Sequence, residues 1–138
     1  MIVFARVLVV AALASVALAG CGGGGDGSPP TNAGPPNPFA GNYSGTYTGM
    51  EAGTWTAVFG TDGEVSATIH SPALGTFSGS GTITSTGALS LTTTGSGAAA
   101  GVTITWQGSF QTQGAVTSGT GTWQSSDGLS GTWSGQKN

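Results

Sequence analysis

Few side chains in these 138 residues can do chemistry: one imidazole, one thiol and five carboxylates. Nucleophilic hydrolysis needs a histidine within reach of both a nucleophile and an orienting carboxylate. His70, the only histidine, precedes Ser71-Pro72 and has Glu64 six residues before it. That is the nearest approach to a triad, and an exposed histidine near a strand end explains it as well. Paired-acid glycoside chemistry needs two carboxyls flanking a cleft. Asp62 and Asp127 are each followed by Gly, which marks them as turn formers. One His and one Cys do not make a zinc set. The glycine-rich stretches lack the Gly-Lys-Ser/Thr that a phosphate loop requires. The reading is a chain with no catalytic residues, no metal and no cofactor. A hydrolase using His70 or Glu64 ranks third among the functions considered.

Binding is the better prospect. Trp55, Trp106, Trp123 and Trp133 are either core, or an aromatic platform or mouth for a small apolar ligand or a sugar. Gly-Thr-Trp occurs at 53–55, 121–123 and 131–133. It is similar to the short strands of small ligand-binding barrels such as the avidins. The likeness covers tripeptides only, so no ligand or site is carried over. Nucleic acid is excluded as a partner, because phosphates need clustered Lys and Arg, and this chain has only Arg6 and Lys137.

Cys21 has no partner for a disulfide within the chain. Its position gives it a role. Met1 to Gly20 carries one early base, Arg6, then the apolar run Val7 to Ala19, then small residues, which is the layout of an export signal. That run is shorter than the roughly 20 residues needed to span a bilayer. Leu18-Ala19-Gly20-Cys21 resembles the lipobox of bacterial lipoproteins. The resemblance implies cleavage before Cys21, a thioether-linked diacylglycerol on its sulfur and an N-acyl chain. It also implies a place at the cell envelope, and Gly22 after the cysteine favours the outer over the inner membrane where there are two. More than one acyl chain is what stable anchoring requires, at about 0.8 kcal/mol per buried CH₂. The alternative is an ordinary secretory signal with Cys21 incidental.

Residues 22–38 hold six Gly, five Pro and no large apolar side chain. Such a segment cannot bury a core and reads as a disordered tether.

Residues 39–138 are a different material. Helix formers are scarce, and apolar residues recur with period two, the strand signal. Eight strands are expected, at 41–49, 53–60, 64–70, 75–84, 88–94, 102–112, 115–124 and 129–136. Thr61-Asp62-Gly63, Ser85-Thr86-Gly87, Thr112-Gln113-Gly114 and Ser126-Asp127-Gly128 supply hairpin turns. One face alternates large rings with glycines, as in Tyr43, Gly45, Tyr47, Gly49 and in Trp106, Gly108, Phe110. Rings of one strand are expected to lie over glycines of the next, the large/small alternation of a filled barrel. The other face is Ser, Thr and Gln. An open sheet guards its edges with Lys, Pro or inward charges, and one penultimate Lys137 is poor protection. An all-β antiparallel meander closed into an up-and-down barrel is therefore the first expectation, with an open meander or two-sheet sandwich second.

The expected organisation is a removed signal (1–20), a lipidated cysteine with its tether (21–38) and an all-β domain (39–138). The expected function is non-catalytic binding or structural work at the envelope. The alternative is a carrier of a small apolar ligand or sugar in the barrel interior or mouth. The membrane, through lipid on Cys21, is the one partner the sequence names. An envelope protein or a small ligand remains open.

Overall fold

The computed structural model describes residues 34–138, so the expected signal, Cys21 and most of the expected tether lie outside the described residues. The strands are β1 (Gly41–Gly49), β2 (Gly53–Phe59), β3 (Glu64–Ser71), β4 (Gly75–Ile83), β5 (Ala88–Gly95), β6 (Thr103–Gln113), β7 (Val116–Ser125) and β8 (Ser130–Lys137). Each pairs antiparallel with the next, and β8 pairs with β1, closing the barrel. This is the expected up-and-down barrel, not the open sheet or sandwich. Every expected strand boundary falls within one residue of the observed one.

Turn chemistry sets the register. The β6–β7 hairpin turns through Gly114 at φ 62°, and the β2–β3 turn through Gly63 at φ 87°. A side chain at either position would be strained. Closure then fixes the faces. Gly45 of β1 lies opposite Trp55 of β2 on one side and Gly135 of β8 on the other. Strand burial alternates accordingly, most regularly along β3 from Val65 to Ser71.

Inside, the buried hydrophobic residues form one cluster from Phe39 to Trp133. Outside, rows of Ser, Thr and Gln cross the sheet, as in Thr48, Thr132, Thr122 and Gln107 on β1, β8, β7 and β6. A barrel that is apolar inside and hydroxyl-covered outside inverts the pattern of transmembrane barrels, whose lipid-facing band is apolar.

The connections divide between two rims. At what is here called the loop rim lie the β1–β2, β3–β4, β5–β6 and β7–β8 connections. At the strap rim lie the other three turns and the entering chain. The longest connection, β5–β6, carries a 3-10 turn (Gly97–Ala99) whose Ala99 is buried.

Candidate functional site

Much of the interior is built by pairing a ring with a missing side chain. A Cβ on Gly119 would strike the Phe110 ring at 2.6 Å. One on Gly131 would meet Trp123 Nε1 at 2.7 Å, and one on Gly53 would meet the Tyr47 ring at 2.7 Å. Glycine weakens a strand because it packs nothing; here the neighbouring ring packs in its place. The four tryptophans are all interior, with exposures of 7% for Trp55, 2% for Trp106, 3% for Trp123 and 4% for Trp133. None forms an exposed platform.

Three of their four indole N–H groups are satisfied by the barrel wall. Trp106 donates to Thr93 Oγ1 at 3.0 Å, Trp123 to the Thr48 carbonyl at 3.1 Å and Trp133 to the Gln107 carbonyl at 3.1 Å. Trp55 Nε1 is the one buried side-chain polar atom among the described residues without a partner. Its ring meets Trp133 edge-on, with centroids 5.7 Å apart.

Between these rings the free space is small. A cavity of about 20 Å³ is lined by Trp55, Trp106, Trp133 and neighbouring aliphatic residues. Pockets that hold small ligands run to about 300–1,000 Å³, so in this state side chains occupy the barrel's middle.

The two ends of the interior differ in chemistry. Toward the strap rim, Tyr43, Phe59 and Phe110 form an aromatic cluster, with Tyr43 stacked on Phe59 at 4.2 Å. Phe39 caps this end, and the Tyr43 hydroxyl donates to the Phe39 carbonyl at 2.8 Å. Toward the loop rim, hydroxyls replace hydrocarbon at inward positions. Ser71 ends β3, Thr93 lies near the end of β5 and Ser125 ends β7; they are 1%, 0% and 5% exposed. Tyr47 stands edge-on to both Trp106 and Trp123 beside them, at 5.5 and 5.6 Å.

Ser71 is the hub of this end. Its hydroxyl donates to Glu51 Oε1 and accepts the Leu74 N–H at 2.9 Å. Those two bonds hold the β1–β2 and β3–β4 connections against the rim. Burial raises the Tyr47 pKa above the usual phenolic value; the neighbouring Ser71 hydroxyl opposes the rise and the Glu51 carboxylate adds to it. Across the rim, Ser125 donates to Asp127 within the β7–β8 turn. The assembly offers hydrogen-bond donors and acceptors beside flat aromatic surfaces.

His70 and Glu64 fall elsewhere. Both are exposed on the outer face of β3, near opposite ends of that strand, about 20 Å apart at the usual rise. Asp62 works as the expected turn former, its Oδ1 accepting the Glu64 N–H at 3.0 Å. Among the described residues no three His, Cys, Asp or Glu side chains come together. Cys21 lies outside the described residues.

Sequence reading passed over Tyr47, Glu51, Ser71 and Thr93. A signal existed for three of them: Tyr47 stands on the ring-and-glycine face, and Ser71 and Thr93 are hydroxyls at positions that period two assigns to the same inner face. Glu51 carried none, because loop contacts are set by closure.

No family model matches this chain, and no curated protein matches it. Among solved structures, the rhizavidin–biotin complex is similar, with a TM-score of 0.49 and 16% identity over 69% of this chain and 99% of that one.

Proposed function

We propose that this chain is a lipid-tethered, non-catalytic binding module whose barrel takes a small uncharged ligand at the loop rim. One observation carries the reading. Three of the four buried polar side chains, Ser71, Thr93 and Ser125, gather at that end, beside Tyr47, Trp106 and Trp123. Each is hydrogen-bonded within the fold, Ser71 to Glu51 and Leu74, Thr93 to Trp106 and Ser125 to Asp127, which offsets the cost of burying it and leaves each oxygen a second lone pair for a ligand's polar edge. Hydroxyls beside ring faces suit a ligand with a polar edge and an apolar face, such as a sugar ring. The small free volume in the middle of the barrel supports the rim as the end a ligand would occupy. The Ser71–Glu51 bond holds the loop that must shift to admit the ligand.

Tethering through Cys21 supplies the location, the cell envelope, with the outer membrane favoured in a two-membrane cell. It rests on Leu18-Ala19-Gly20-Cys21 and the Gly/Pro-rich segment after it. Labelling cells with a fatty-acid analogue tests it: label is expected on the wild type and not on Cys21→Ser.

Titration of the domain with sugar and lipid mixtures tests the binding. Trp106 and Trp123 lie close enough to the rim for their fluorescence to change. Free ligand at 100 times Kd stabilises a fold by about 2.7 kcal/mol, so melting should move upward by several degrees. Ser71→Ala combined with Thr93→Val should remove the response. A wild type that ignores every small molecule overturns the binding reading. The second reading, a purely structural module that docks an envelope protein, would then stand, and the filled interior is the observation that favours it.

A further inference from the structure

The described chain enters the barrel at the strap rim, and the entry is fastened. The Asn37 backbone N–H donates to the Thr61 carbonyl at 2.7 Å. Its side-chain amide donates to the Ile83 carbonyl at 2.8 Å. Its Oδ1 accepts the Phe39 N–H at 3.0 Å. Phe39 is buried, and Lys137 Nζ donates to the Ala40 carbonyl at 2.6 Å. These contacts reach the β2–β3 turn, the end of β4 and the end of β8. The strap therefore runs across this rim, from the β2–β3 turn and the end of β4, where the described chain begins, to the start of β1.

We propose that the strap rim is the base that faces the lipid surface, and that the loop rim points away from it. The inference rests on the lipid-anchor reading above. Asn37 is sixteen positions after Cys21. That length spans about 56 Å at most, and a random coil of the same length averages roughly 22 Å. Strands of seven to eleven residues, tilted as barrel closure requires, put the two rims roughly 20 Å apart. Bringing the loop rim to the bilayer makes the tether cover that height along the barrel wall, which removes most of its configurations. The partner is the bilayer itself, reached through the anchor and not by adhesion. Lys137, the one Lys or Arg among the described residues, is bonded to the Ala40 carbonyl and is outnumbered at this rim by Asp62 and Glu64, so the rim offers anionic headgroups no net attraction.

The experiment uses the full processed lipoprotein in vesicles of neutral phospholipid containing an acceptor-labelled lipid. A donor dye is placed at Ala115→Cys in the β6–β7 turn, or at Met50→Cys in the β1–β2 connection; both positions are exposed. Energy transfer roughly twofold greater from 115 than from 50 is expected, unchanged by salt, given rims roughly 20 Å apart. Asn37→Ala with Phe39→Ala, which frees the strap, should narrow the difference. Equal or reversed transfer from protein that co-floats with the vesicles overturns the orientation and leaves the anchor reading intact. Protein that stays off the vesicles and takes up a second dye on Cys21 overturns both.

Discussion

The inner and outer faces of this barrel are made by the same strands and obey opposite rules. Inward positions specify shape. Tyr47, Trp55, Phe77, Phe110, Trp123 and Trp133 each lie over a glycine, and a methyl added at Gly119 or Gly131 collides with a neighbour. Outward positions are interchangeable hydroxyls with almost no charge: Thr120 faces Ser134 and Ser109, and Thr122 faces Thr132 and Gln107. The lesson is that glycine, usually a weak strand residue, is here half of a packing unit. Its partner ring comes from a different strand. Fold specificity is concentrated on one side of a sheet one residue thick.

The sharpest way to break this contrast is the Phe110–Gly119 pair. Phe110 is 1% exposed, and the atoms nearest to a Cβ on Gly119 all belong to its ring. Phe110→Ala should cost about 3–5 kcal/mol. Gly119→Ala should cost about 1–3 kcal/mol by overpacking. If ring and glycine form one unit, the double variant should lose less than the sum by about 1 kcal/mol or more, measured by denaturant unfolding. Strict additivity would mean that the glycine serves the backbone alone.

This pairing explains what the sequence could reveal. The strands, their faces and closure were all legible, because period-two patterning and Asp-Gly or Thr-Gly turns are local signals and edge protection can be judged from composition. That rings lie over glycines was legible as a pattern. Which glycine serves which ring was not, since Trp133 against Gly121 depends on the β7–β8 register. The contacts at the two rims were the least legible. Glu51 meets Ser71 from twenty residues away, and Asn37 of the expected tether is tied to Thr61 and Ile83. Such contacts follow from barrel closure, which no local pattern encodes.

A second test separates the faces by pH. Burial raises the pKa of Tyr43 and of Tyr47 above 10.0, their ordinary value. A group with a raised folded pKa contributes fully below its unfolded value, and the contribution drains as pH rises toward the folded one. Stability should therefore hold through neutral pH and fall once the unfolded chain's tyrosines ionise, above about pH 10. Each tyrosine adds up to about 1.4 kcal/mol per pH unit to that slope. Tyr43→Phe and Tyr47→Phe should each flatten it in urea melts between pH 9 and 11. Tyr43→Phe should also cost about 1 kcal/mol at neutral pH, by removing the bond to the Phe39 carbonyl. An unaltered alkaline slope in both variants would place the phenols in water.

The smallest effect probes the outer face. Thr48 and Thr132 hydroxyls lie 3.5 Å apart, too far for more than a weak bond. Hydroxyls on this face exchange one water partner for another, so each adds little beyond the β-branched shape that strands prefer. Valine keeps that shape and removes the hydroxyl. Thr120→Val with Thr122→Val should therefore leave stability within about 0.5 kcal/mol and lower solubility, since two apolar groups then face water on an almost uncharged barrel. Thermal melting and sedimentation read the two effects separately. A loss above about 1 kcal/mol would show that the threonine rows act as a connected network. The outer face would then specify structure as the inner face does, and the division between them would not hold.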